Sequence, residues 1–317
     1  MISAQRVYIK MNTGLSSRIQ LYRELSKSGI VTLVLISVLG GYLIGQPFEI
    51  PLSWTRLFLT LAGILLLASG SSALNQLQER HIDREMPRTA KRPLPSGRIT
   101  PMGALVFVVI TISCGLALLL RVDRANHHNG LPLFWLGVAA VLSYNGLYTL
   151  WWKRHWAFAA VPGAIPGALP ILMGHIAANG QLLNPAGIYL FFILFYWQMP
   201  HFWVLALKFE DDYRSGGFPT LPVAHGSRVT VRQIVIWCFA YVLLAMIGPF
   251  FLKTGWIYLV AATLTSIMVL WELFKFAFAP EPQKAWLRFF LWVNFSLIIY
   301  LAAAAADLWS IYLPNGR

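Results

Sequence analysis

Long apolar runs alternate along the chain with short polar segments that are mostly basic. A helix needs about 20 apolar residues to cross the hydrocarbon core of a bilayer. Nine runs reach that length, near 29–47, 57–78, 101–121, 132–151, 157–177, 184–207, 230–252, 255–277 and 286–306. The pattern predicts an all-α fold, a polytopic membrane helix bundle of about nine transmembrane helices. It divides the chain into an N-terminal segment 1–28, a single transmembrane domain 29–306 and a short tail 307–317, with nothing left over for a second, soluble domain. The first 28 residues are basic and polar and lack the apolar core and small-residue end of a cleaved signal peptide, so the first span is expected to be retained.

Composition agrees. Of 317 residues, 57% are hydrophobic and 12% charged, about half the charged share of a soluble domain. Gly and Pro punctuate several spans, most densely between Val161 and Pro170. Such a run breaks a helix in water, but in a bundle neighbouring helices satisfy the freed backbone groups and small residues allow close packing. Cys114 and Cys238 fall within spans and form neither a metal-ligand pair nor a disulfide framework, so they read as small core residues.

The net charge of +13 would suit a nucleic-acid partner, but its distribution points to a lipid bilayer instead. With the segments numbered alternately, 20 of the 25 lysines and arginines fall on the N-terminal side, among them Arg6, Lys10, Lys27, Arg88, Lys153, Arg214 and Arg288. The other side holds only Arg56, Arg121, Arg124, Lys253 and Arg317. By the positive-inside rule the N-terminus is cytoplasmic and the C-terminus external. Dropping one span would scramble the asymmetry. No nucleic-acid partner is expected.

The spans are nearly free of ionisable residues, and two segments at their cytoplasmic ends concentrate the candidate chemistry. After span two, Asn75, Glu79 and Asp83 are spaced i, i+4, i+8, which sets them on one helical face. Arg88, Lys91, Arg92 and a Pro-x-Pro turn with Gly follow. After span six come Lys208, Glu210, Asp211, Asp212 and Arg214, then Gly216 and a Pro-x-x-Pro turn. The segments lie four spans apart on the same side, as in a pseudo-duplicated four-helix unit. Facing acidic clusters can hold Mg²⁺, a hard cation that prefers oxygen ligands and is often shared with substrate phosphates. The surrounding Arg and Lys would take up the remaining charge of a diphosphate. Ordinary charged loops explain any one of these residues, but hardly three aligned ligands and their echo.

At these residues the chain resembles the UbiA-type intramembrane prenyltransferases, and within them the heme-directed branch, over nearly its whole length. Asn75, Glu79 and Asp83, followed by Arg92-Pro-Leu-Pro-Ser-Gly-Arg-Ile, resemble the first acidic motif. Tyr144-Asn-Gly-Leu-Tyr148-Thr149, running to Lys153-Arg154, is similar to the fourth-span signature. Trp197-Gln-Met-Pro-His201-Phe-Trp203, running into Asp211-Asp212-Tyr213-Arg214 and Gly216, is similar to the second motif of the heme branch. There are two departures. Lys208 stands where the superfamily usually has the first aspartate of its second motif, and a Lys-Pro pair common at the start of span one reads Lys27-Ser28.

The resemblance implies transfer of the farnesyl group of farnesyl diphosphate to a vinyl group of protoheme IX, heme B being substrate rather than cofactor, with water adding to give heme O. It implies Mg²⁺, with Mn²⁺ as a substitute, held by Asn75, Glu79, Asp83, Asp211 and Asp212. Diphosphate would be held by Arg88, Lys91, Arg92, Lys153, Arg154, Lys208 and Arg214, with Lys208 either touching it directly or leaving metal binding to Asp211 or Asp212. Asp83, Asp212, Tyr148 and Asn145 would be catalytic, and Tyr144, Tyr148 and Trp197 could shelter an allylic cation. His201 and Trp197 are candidate heme contacts, since imidazole suits iron and an intramembrane histidine is a functional candidate; packing is the plainer reading of both. The implied setting is a bacterial inner membrane rather than a mitochondrial one. A downstream heme-modifying membrane enzyme or terminal oxidase assembly would be a partner.

Two rivals remain at this stage. The same fold could prenylate an aromatic quinone precursor. A transporter would also fit nine spans with a repeat, and the Pro- and Gly-rich fifth span favours it, but transporters place their binding groups near mid-membrane.

Overall fold

The computed structural model describes residues 15–127 and 130–312, so Arg6, Lys10, His128 and Arg317 lie outside the described residues. Among the described residues every regular element is helical. A short helix, Leu15–Leu25, precedes nine membrane-length helices. These are Ser28–Gly45, Trp54–Glu79, Pro101–Ala125, Pro132–His155, Ala160–Asn179, Pro185–Lys208, Leu221–Met246, Trp256–Ala277 and Pro282–Ile311, called spans one to nine below. The protein is thus a multi-pass membrane protein.

Local signals set the helix starts. Ser53 caps span two by accepting from the Arg56 amide, and Thr100 caps span three from Gly103 with Pro101 at the first helical position. Asn184 and Pro185 do the same for span six. The buried Asp123 carboxylate accepts the Leu133 and Phe134 amides at the head of span four, joining it to span three. Span five stays helical through Pro166 and Pro170 and ends at Gly180 in the left-handed region (φ 77°).

Two boundaries differ from the hydropathy pattern. Span seven starts at Leu221 rather than near 230, because an amphipathic turn joins it across a kink at Gly226 (φ 79°, ψ 169°). Span nine continues past 306, into the expected tail, where buried Asp307 accepts the Tyr258 amide at 3.0 Å.

Span one packs along span five, span two along span three, and span eight along span nine, which also touches spans one and six. The crossing of spans one and five is so close that a Cβ on Gly41 would collide with the Ile171 carbonyl oxygen, and one on Gly174 with that of Val38. Two apolar cores flank this crossing. One is built from spans one to five around Leu67, Leu119 and Met173, and the other mainly from spans six to nine around Trp203, Tyr241 and Phe289.

Candidate active site

Where the two acidic segments emerge, spans one, two, four, five and six surround a cavity of about 350 Å³. A second, apolar pocket of about 260 Å³ lies between spans one, two, four and five and shares Ile30, Tyr144, Gly163 and Gln198 with it. The mouth is therefore polar and what lies beneath it is greasy.

The stripe at the end of span two forms the polar wall. Asn75, Glu79 and Asp83 are all buried, and a buried carboxylate needs a charged, hydrogen-bonded partner. Each of the three finds a cationic partner. Both Glu79 oxygens accept from Lys153 Nζ, at 2.8 and 3.0 Å. Both Asp83 oxygens accept from Arg92 Nη1, at 2.9 and 2.8 Å. Asn75 Oδ1 accepts from Lys27 Nζ at 2.7 Å, while its Nδ2 donates to Thr149. Lys27 adopts a left-handed backbone (φ 53°) between the short first helix and span one. Burial of its ammonium, and then the nearby Arg92 charge, push Lys27 down to about 7.

Span four faces this stripe through a π-helical stretch, Leu142–Trp152, a form that often marks functional sites. Thr149 Oγ1 donates back to the Tyr144 carbonyl, and Asn145 Nδ2 donates to the Ser71 carbonyl while its own carbonyl accepts from Gln78. The stretch is thus stitched to span two. It presents Tyr144 and Tyr148 stacked on each other, ring centroids 6.0 Å apart, on the cavity wall. Gly163 of span five makes room for the second ring, since a Cβ there would lie 2.6 Å from Tyr148.

The two acidic segments also meet. Arg88 Nε donates to Asp212 Oδ2 at 3.2 Å, and its guanidinium lies 4.7 Å over the Phe209 ring. Met86 packs where a side chain on Gly216 would stand, and Lys153 Nζ lies 4.2 Å over Phe218. The second segment therefore roofs the cavity formed by the first.

Of the residues expected at the site, Asn75, Glu79, Asp83, Arg88, Arg92, Lys153, Tyr144 and Tyr148 line the cavity. Asp212 is tied to it through Arg88, and Asn145 stands behind the wall as a strut. The others do not line it. Asp211 and Lys91 are exposed, Lys208 lies over Trp286, and Arg214 pairs with Glu210 in its own turn. Arg154 sits one residue past the lining lysine. Trp197 donates to the Val293 carbonyl, and His201 packs between Trp197 and Phe290, so both face span nine. Lys27, Gln198 and Tyr213 line the cavity without having been singled out as site residues. For Lys27 a signal existed, because it stands at the start of span one, level with the acidic stripe.

Among the described residues no three of His, Cys, Asp and Glu cluster tightly enough to cage a metal by themselves. The oxygen donors of the first stripe do fit an ion bound by one or two carboxylates and completed by substrate phosphate, the usual manner of Mg²⁺.

The site thus sets a buried acidic stripe, matched by cations, above an apolar pocket in a membrane bundle. The chain belongs to the UbiA prenyltransferase family, whose sequence pattern matches residues 34–295. It is 42% identical over 292 residues to a protoheme IX farnesyltransferase of Bdellovibrio bacteriovorus, covering 92% of this chain and 97% of that one. With the protoheme IX farnesyltransferase of Aquifex aeolicus it shares 38% identity, over 89% and 91% of the two chains. The fold matches solved structures of a digeranylgeranylglyceryl phosphate synthase (TM-score 0.72, 20% identity, 92% and 98% covered) and of an Archaeoglobus fulgidus UbiA homolog bound to GPP and Mg²⁺ (TM-score 0.62, 18% identity, 90% and 99% covered).

Proposed function

We propose that the protein transfers the farnesyl group of farnesyl diphosphate to a vinyl group of protoheme IX, with addition of water, giving heme O and diphosphate. The observation that carries prenyl transfer is the stripe Asn75, Glu79 and Asp83, each paired with a cation at the head of an apolar pocket. The acceptor is supported by full-length likeness to protoheme IX farnesyltransferases.

Diphosphate settles at the mouth, and the prenyl chain lies in the apolar pocket. Mg²⁺, held by carboxylates of the stripe, would neutralise the leaving diphosphate as the allylic C–O bond breaks. Lys153 and Arg92 then exchange their carboxylate partners for phosphate oxygens, and Lys27 and Arg88 add two further donors. The stacked Tyr144 and Tyr148 rings offer π faces to the allylic cation. The Arg88–Asp212 roof keeps bulk water from that cation. Asp211, Lys91, Arg154, Lys208 and Arg214 have at most a long-range electrostatic share in this.

We place the whole of 29–306 in one membrane domain of a bacterial inner membrane, with the mouth cytoplasmic. Reporter fusions within 88–98 and 214–228 should read as cytoplasmic and one at the C-terminus as external; a cytoplasmic C-terminus would overturn this orientation. The function is tested with purified protein, heme, farnesyl diphosphate and Mg²⁺. Heme O should form, and chelation should abolish it. In the host, deletion should remove heme O while heme B and quinone persist; falling quinone with intact heme O would make the quinone-precursor reading correct.

A further inference from the structure

The bond between a diphosphate and its prenyl chain has to lie where the polar mouth gives way to the apolar pocket, since each side of that bond is costly in the other compartment. Four residues line both compartments, and of these only Tyr144 and Gln198 carry polar side chains. Gln198 Nε2 donates to the Ala164 carbonyl at 3.0 Å and to the Leu194 carbonyl at 3.2 Å. With both amide hydrogens committed, the orientation of the group is set. Its Oε1 lies over Gly167, where a Cβ would collide with it, and Gly167 itself lines the apolar pocket. Among the described residues Oε1 accepts no hydrogen bond. Beside the Tyr144 hydroxyl, the junction thus presents one amide acceptor oxygen, held in place by two helices.

We propose that Gln198 Oε1 orients the water that completes the reaction, a positioning role that rests on the heme-farnesylation reading above. In that reaction the vinyl π pair bonds to C1 of the prenyl chain, and diphosphate leaves with the electrons of the C1–O bond. The vinyl carbon beside the porphyrin ring is left cationic. Water gives a lone pair to that carbon, one O–H bond breaks, and the proton passes to an oxygen of the departed diphosphate. An amide oxygen does not keep that proton, but by accepting an O–H hydrogen bond it aims the lone pair at the cation. Without it the cation loses a proton from the neighbouring carbon and closes to an alkene, lighter by one water. Prenylation of a phenol ends in proton loss and needs no such water.

The rival is a strut that only ties span six to span five, and product analysis separates the two. Gln198→Leu keeps the bulk and removes the acceptor; Gln198→Glu keeps an acceptor oxygen. Purified variants are given heme and farnesyl diphosphate with Mg²⁺, and both diphosphate release and the mass of the porphyrin product are followed. In Gln198→Leu the hydrated share of the product should fall by about tenfold or more while diphosphate release falls less. The dehydrated alkene should accumulate, and Gln198→Glu should restore hydration. Gly167→Ala, which displaces Oε1, should shift the product the same way. Fully hydrated product from Gln198→Leu, or hydrated product and diphosphate release falling together, would overturn the proposal. Wild-type protein that forms no farnesylated porphyrin would sink the parent reading instead.

Discussion

The two acidic segments lie four spans apart, and the parts of the bundle around them differ in what fills them. Spans one, two, four and five, closed on one side by span six, enclose the polar cavity and the apolar pocket. Around spans six to nine the corresponding interior is solid, with Trp203, Tyr241, Tyr258, Tyr300 and Phe289 almost fully buried. Their hydroxyls are satisfied internally: Tyr241 with Ser296 and Tyr300 with Ser266, each at 2.9 Å, and Tyr258 on the Ala245 carbonyl at 2.7 Å. The acidic stripes diverge in the same sense. Where the first half has Asn75, Glu79 and Asp83, the i, i+4, i+8 positions ending at Asp212 read Val204, Lys208 and Asp212. Val204 is buried in the core and Lys208 is exposed, so only the last carboxylate of the second stripe remains in touch with the cavity. The first acidic segment carries the polar wall of the site, and the second serves mainly as its roof.

The largest effect should come from the carboxylates that this comparison separates. Asp83→Asn and Asp212→Asn should each lower turnover at least about 100-fold with normal membrane expression, whereas exposed Asp211→Asn should stay within about threefold. Equal losses in all three, measured in the heme assay, would break the distinction between carboxylates tied to the cavity and an exposed one. Next come the cations. Lys153→Met removes the partner of Glu79 and should raise the prenyl diphosphate requirement about tenfold, while Lys208→Ala, on the filled side, should change it by less than about twofold. A large effect at Lys208 would show that the second stripe reaches the substrate after all. The smallest effect tests the scaffold. Tyr241→Phe should leave turnover unchanged and reduce resistance to denaturant by about 0.6 kcal/mol, the usual worth of a buried hydrogen bond between membrane helices.

Much of this was legible in the sequence. Nine apolar runs became nine spans, and the i, i+4, i+8 stripe did come to one buried wall. Cations near that stripe were harder to rank. Lys153 and Arg154 are neighbours with the same charge, yet helix geometry sends one ammonium onto Glu79 while Arg154 stays off the cavity wall. Trp197 and His201 share a helix with Gln198 and Phe202, one residue on, and that step of about 100° turns the first pair to span nine and the second to the cavity. The π-helical turn of span four depends on side-chain bonds to span two, which no local pattern announces. Lys27 stands level with the acidic stripe in the sequence, but the inward turn of its side chain depends on a left-handed backbone that favours glycine, a feature the local sequence does not signal.

The crossing of spans one and five sets the mechanics of the whole bundle. At Gly41 and Gly174 one backbone rests directly on the other, with no side chain between them to repack. Both glycines lie far along their helices from Lys27 and Gly163, which face the mouth. The two helices are therefore joined like the arms of tweezers, free to pivot about the touching point but unable to part there. Any widening that admits a flat ring system as broad as a porphyrin has to grow from the mouth end, where the cavity and the apolar pocket lie between the arms.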